Sequence, residues 1–162
     1  MKKKIYTIIF ALIYIALYIF FILKSAETGE ESTGSSMIVA KMIRNVLNSL
    51  FNTHIEIDDH FLNLVRKLIG HFGFFVVFGI VSIILFILIH SLGIIKNAVL
   101  VGIYHYIGGL SLAIISEFVC QALTTNRGPS YKDVMIDYSG YIIISSIIYI
   151  VFIVKCKRNR VN

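Results

Sequence analysis

The chain has 162 residues, 57% of them hydrophobic and only 15% charged, with a net charge of +6. A water-soluble surface carries about 25–35% charged residues, so this composition excludes a soluble globular domain and points to a chain solvated by lipid. Four apolar runs, Ile5–Leu23, Phe72–Ile95, Ala98–Leu123 and Val134–Val154, contain no Lys or Arg. Each meets the length of about 18 residues that marks a membrane span. The expected fold is an all-α membrane protein in one domain, 1–162: a four-transmembrane-helix bundle with an extracytoplasmic amphipathic surface helix.

Lys2, Lys3 and Lys4 precede the first run. Its apolar core is longer than the usual signal-peptide core of about 7–15 residues. Lys24 stands where a small residue would be wanted for cleavage at Ala26, so the run reads as an uncleaved anchor. Basic residues near span ends set orientation. Lys2, Lys3, Lys4, Lys96, Lys155, Lys157, Arg158 and Arg160 fall on one side with no acid among them. On the other side the cations are spread through a long loop that also carries carboxylates. The first side is therefore expected to be cytoplasmic, with both termini inside. The basic excess fits membrane lipids with anionic headgroups, and no nucleic-acid surface is expected. Cys120 and Cys156 fall near opposite faces of a hydrocarbon core about 30 Å thick, too far apart for a disulfide.

The first two spans are joined by an external loop, 24–71. Ser25 to Ser36 is rich in Glu, Ser, Thr and Gly and reads as a flexible linker. Across 37–51 the apolar residues Ile38, Val39, Met42, Ile43, Val46, Leu47 and Leu50 recur at three- and four-residue steps, with Lys41, Arg44, Asn45 and Asn48 opposite. That pattern predicts an amphipathic helix that lies on the outer bilayer surface or covers the bundle mouth. Asp58 or Asp59 is placed to cap the next helix. From Phe61 the apolar pattern continues unbroken into the second span, so Arg66, Lys67 and His71 enter the membrane on a helix already formed. Lys67 and His71, four residues apart, are expected to share a face. Gly70 and Gly73 would give another helix room to approach.

In the third run His105, Gly109, Ala113, Glu117 and Gln121 fall at four-residue steps. His105 is expected to be a hydrogen-bonded packing residue. Beyond the turn that carries Arg127, Ser130-x-x-Asp133 fits a capping box. Asp137 lies one turn further, where capping does not explain it.

A charged side chain at membrane depth costs at least about 2.5 kcal/mol, so it faces a partner or a wet cavity. On a rise of about 1.5 Å per residue, Glu117 and Asp137 sit roughly 9 and 5 Å inside their spans. Independent helices should thus deliver Arg66, Lys67, His71, Glu117, Gln121, Arg127, Ser130, Asp133 and Asp137 to the outer third of the bilayer. Three readings follow. The cations pair with the carboxylates and staple the spans together. Alternatively, the group lines a pocket in which guanidinium and ammonium groups hold phosphate or carboxylate. In the third reading His71 and Glu117 act as acid and base on a lipid-linked substrate. A metal held by His71, Glu117, Asp133 and Asp137 is a minor alternative, but no HExxH or paired-Cys spacing supports it, so no metal or other cofactor is expected; no G-x-S-x-G or P-loop occurs either.

Three groups of residues carry a resemblance: Arg66, Lys67, His71 and Phe72; then Glu117 and Gln121; then N-R-G-P-S-x-x-D-V-x-x-D-x-x-G from Asn126 to Gly140. From about Arg66 onward the chain resembles the VanZ-like family of small bacterial membrane proteins. The resemblance implies a place in the bacterial cytoplasmic membrane and a role at the cell envelope. Through the family's founder it also implies lowered susceptibility to glycopeptide antibiotics, teicoplanin in particular. Asp137 departs from the Asn often found there and adds a charge to be neutralised. The expected function is binding of a polar headgroup, cell-wall precursor or lipopeptide antibiotic at an outward-facing polar pocket. The alternative is an integral-membrane hydrolase or transferase acting on a lipid-linked substrate.

Overall fold

The computed structural model describes residues 1–124 and 128–161, and these are all-helical apart from short connections. Among the described residues four helices are long and apolar enough to cross a membrane: Lys2–Ser25, Asp59–Ser91, Ala98–Cys120 and Tyr131–Arg158. We label the helices α1 (Lys2–Ser25), α2 (Gly29–Phe51), α3 (Asp59–Ser91), α4 (Ala98–Cys120) and α5 (Tyr131–Val161).

Local signals explain the boundaries. Asp58 accepts the Phe61 N–H at 2.7 Å and so starts α3 at the position expected. Asn97 accepts the Val99 N–H at 2.9 Å at the start of α4. In the turn between them Gly93 sits at φ +77°, and the His90 ring nitrogen Nδ1 meets the Ile95 carbonyl at 2.6 Å. Cys120 and Cys156 are free thiols.

The expected linker is the main correction. Helix α2 begins at Gly29, not Met37, because Thr28 and Glu31 form a capping box. The Thr28 N–H donates to the Glu31 carboxylate at 2.9 Å, and the Glu31 N–H donates to the Thr28 hydroxyl at 3.3 Å. These reciprocal bonds satisfy N–H groups that would otherwise be orphaned in the first turn. The hydrogen bonds from Thr28 hold the Glu31 carboxyl below its ordinary value of 4.5. A lowered folded-state value means that the cap's contribution is complete above the ordinary carboxylate range and is lost as pH falls through the lowered one. The Glu31 amide resonance should therefore titrate with a midpoint below 4.5, together with increased exchange in the first turn. A midpoint at or above that value would rule out the cap.

The bundle core is an aromatic layer. Phe21 of α1, Phe75 and Phe78 of α3, Leu112 and Ala113 of α4, and Val134 and Tyr141 of α5 pack into one buried cluster. Helices α3 and α5 approach most closely, at glycine. A Cβ on Gly140 would collide with the backbone of Phe72, and one on Gly79 with the backbone of Tyr141. Small residues permit such approach where lipid supplies no hydrophobic drive between helices. The helix contact therefore uses Gly79 and Gly140 rather than the expected Gly70 and Gly73: Gly70 is exposed, and a Cβ on Gly73 would meet only the Leu68 carbonyl of its own helix. Of the expected Gly109/Ala113 pair, Gly109 lies against the Tyr141 ring and Ala113 is fully buried.

His105 is a packing histidine, as expected, and its partners complete a buried polar network. Its Nε2 lies 2.9 Å from the Ser145 hydroxyl, which itself donates to the Tyr141 carbonyl. Ser145 therefore accepts from Nε2–H, and Nδ1 is left as the acceptor, 3.0 Å from the Tyr141 hydroxyl and 3.1 Å from Ser82. The Tyr141 hydroxyl also reaches Ser82 at 2.7 Å. With every member satisfied, the network fixes the register of α3, α4 and α5 below the aromatic layer.

Candidate functional site

The second polar group lies where α3, α4 and α5 meet at the end of the bundle near the α4–α5 connection. Two of its residues occupy π-helical turns: His71 within Arg66–Gly73 of α3 and Glu117 within Ser116–Cys120 of α4. Such turns widen the i→i+4 ladder to i→i+5 and recur at functional sites. They also change which residues share a face. His71 turns inward and is buried, whereas Lys67 is only half-buried and forms no hydrogen bond or ion pair among the described residues. The four-residue spacing that put these two together assumed an unbroken α-helix.

His71 Nδ1 lies 2.9 Å from Asp137 Oδ1, which joins α3 to α5 through residues that are 7% and 0% exposed. Glu117, also 0% exposed, accepts hydrogen bonds from the Gln121 side-chain amide and from the Ser130 N–H, the latter at 3.3 Å. The capping box expected at Ser130 is half formed. The Ser130 hydroxyl accepts the Asp133 N–H at 3.3 Å, but the Ser130 N–H goes to Glu117, so the Asp133 carboxylate is not used in return. Asp133 Oδ1 and Asp137 Oδ2 are buried without a hydrogen-bond partner among the described residues. One ligand atom each from His71, Glu117 and Asp133 falls within a 4.8 Å group.

Among the described residues, Arg66 and Lys67 do not make the pairs with Glu117, Asp133 or Asp137 that the stapling reading gave them. Among the described residues the ion pairs are Lys24 with Glu27 and His71 with Asp137. Arg66 instead faces a cavity, and its Nε is buried without a partner. Arg127 lies outside the described residues.

That cavity, about 460 Å³, opens between α1, α2 and the first turns of α3. Its lining includes the apolar Phe20, Phe74 and Ile69 and the polar Lys24, Glu27, Arg66, His71 and Gln121. Helix α2 contributes Ser32, Ser35 and Ser36, residues that the linker reading had left in solvent. A signal for this was present. Ser32, Ser36 and Ala40 stand at four-residue steps, and Ser32 and Ala40 are buried, Ala40 completely. Lys24, read from the sequence only as a span-end cation, reaches both Glu27 and Ser35.

The fold and this group of residues define a multi-pass membrane protein with a polar cluster inside its spans and an amphipathic cavity beside it. Compared with protein-family models, with curated proteins and with solved structures, the chain matches none.

Proposed function

We propose that this is a VanZ-like protein of the bacterial cytoplasmic membrane that binds an amphiphile bearing an anionic headgroup in the cavity beside the polar cluster. The observation that carries the reading is the cavity's mixed lining, in which large apolar side chains stand beside the Arg66 guanidinium, whose Nε is buried without a partner among the described residues. Phe20, Phe74 and Ile69 suit an acyl or prenyl chain, while Arg66 suits phosphate or carboxylate, with Lys24, shared with Glu27, beside it. The basic residues around the chain ends favour cytoplasmic termini, which turns the cavity outward, toward cell-wall precursors and lipoglycopeptides. Helix α2 then lies along the outer bilayer surface. Its row Ile38, Met42, Val46 and Leu50 is 55–71% exposed, and a run of large apolar side chains suits insertion among lipid tails. Occupation of the cavity by precursor or antibiotic would lower susceptibility to drugs such as teicoplanin.

A second reading, a hydrolase or transferase acting on a lipid-linked substrate, is favoured by the His71–Asp137 bond. It is the arrangement of a general base held in one tautomer by a carboxylate. One experiment separates the two. Mass spectrometry of purified protein should detect a bound phospholipid or polyprenyl phosphate. Ile69→Trp, which fills the cavity, and Arg66→Gln, which removes the guanidinium, should each reduce binding at least about tenfold, since a lost hydrogen bond to a charged group is worth about 1.5–3 kcal/mol. His71→Gln should abolish turnover in the second reading, while in the first there is no turnover to lose. Unchanged binding by both cavity variants sinks the proposal.

A further inference from the structure

The polar cluster poses a problem of charge that a lipid in the cavity does not solve. Glu117 and Asp137 are completely buried and Asp133 is half-buried, and the basic side chain paired with them among the described residues is His71 alone. The lining that suits an anion, Lys24 and Arg66, sits in the cavity and pairs with none of the three. A headgroup phosphate approaching His71 and Gln121 would meet these carboxylates at close range, and repulsion inside a weakly screened membrane interior is strong.

We propose that His71, Glu117 and Asp133 bind a divalent transition-metal ion, with Asp137 orienting His71. Four observations converge on it. The three donors belong to different helices and already lie within 4.8 Å of one another. With bonds of about 2.0–2.2 Å, side-chain rotations of about 1 Å complete a three-ligand set on one ion. Asp133 has been released from helix capping, because Glu117 takes the Ser130 N–H, and its Oδ1 is buried with no partner. Asp137, fully buried, likewise keeps an unpartnered Oδ2 beside the cluster.

The fourth observation is the outer shell. Metal-bound histidines donate their second ring nitrogen to a carboxylate or carbonyl, which fixes tautomer and ring orientation. Here Asp137 takes His71 Nδ1 at 2.9 Å, which leaves Nε2 as the ligand. The Glu117 carboxylate is held by Gln121 and by the Ser130 N–H and retains free lone pairs for a metal. One imidazole with two carboxylates suits Zn²⁺, and Mn²⁺ more weakly by the general order of affinities. An all-oxygen cage for Ca²⁺ is not offered. Three protein ligands leave a fourth position, and since His71 and Gln121 line the cavity, an anionic headgroup has access to it. The site stands on its own donors, whatever occupies the cavity.

The test uses the full-length chain with its purification tag removed, stripped with chelator, re-equilibrated with Zn²⁺ and dialysed. Elemental analysis should find about one Zn²⁺ per chain, as for a three-ligand site. Glu117→Gln and Asp133→Asn should abolish retention, and Asp137→Asn should weaken it by about 10–100-fold, the effect of a lost outer-shell partner. Zn X-ray absorption on the wild-type protein needs no variant to fold. A nitrogen and oxygen shell with one imidazole supports the proposal. A shell with sulphur or two imidazoles overturns it, as does folded wild-type protein that retains less than about 0.1 equivalent. Folded His71→Gln protein that retains as much Zn²⁺ as wild type overturns it too. Loss of lipid with retention of metal would count against the proposed function and leave this site standing.

Discussion

Gly140→Leu is expected to remove most of the folded protein from the membrane, whereas Gly108→Leu leaves it intact. At Gly140 the first atom of any side chain meets the carbonyl oxygen and carbon of Phe72, and at Gly79 it meets those of Tyr141. Neither obstacle is the tip of a flexible side chain that could swing away. Both are backbone in the middle of helices, so α3 and α5 would have to separate. That separation would open the aromatic layer and pull His71 from Asp137. Overpacking a core costs about 1–3 kcal/mol when side chains can adjust; with backbone in the way the loss lies at the top of that range or beyond it. Against a total stability of about 5–15 kcal/mol this is severe. At Gly108 nothing lies within 4 Å of where a Cβ would stand, so it controls for the general cost of placing leucine at a helical glycine. The measurement is the monodisperse fraction in detergent and its melting temperature. A Gly140→Leu protein that melts within a few degrees of Gly108→Leu would show that the two helices do not meet as described.

The glycine contact also marks where sequence reading stops. The four spans were legible because their hydropathy is a local property, summed over a window. The meeting of His71, Glu117 and Asp137 was legible for a related reason. Each is a polar residue at a depth where lipid cannot solvate it, so each needed company. What was hidden is pairing and register. Nothing in the local sequence says that Gly79 faces α5 while Gly70 does not. The π-helical turns at Arg66–Gly73 and Ser116–Cys120 break the four-residue bookkeeping that assigned Lys67 to the face of His71. Ser82, Tyr141 and Ser145 were passed over as ordinary members of apolar runs, since a serine there declares no partner until His105 arrives from another helix. The linker was a different kind of miss. Its composition suggested disorder, yet Thr28 and Glu31 stood at capping-box spacing ahead of Ser32, Ser36 and Ala40, the face that packs.

The His71–Asp137 pair should behave as one energetic unit. Asp137 is completely buried, its Oδ1 is held by the imidazole, and its Oδ2 has no partner. His71→Ala therefore leaves a carboxylate among apolar helices with no hydrogen bond at either oxygen. Breaking a buried pair from one side costs about 3–5 kcal/mol, mostly the penalty of the group left behind. Asp137→Ala strands the imidazole, which can stay neutral, so its cost should be the smaller of the two. Removing both partners leaves no stranded group and only a cavity to be tolerated. The double variant should consequently be more stable than His71→Ala alone. Denaturant unfolding of the four proteins in detergent supplies the cycle, and the coupling expected for residues in contact is about 0.5–3 kcal/mol. The comparison must be made on chelator-stripped protein, so that loss of a bound metal ion does not enter the sum. If the two single losses simply add, the bond between α3 and α5 contributes nothing of its own. In that case His71 would owe its orientation to the surrounding packing, and both the metal site and the base-and-carboxylate reading would lose the contact on which they rest.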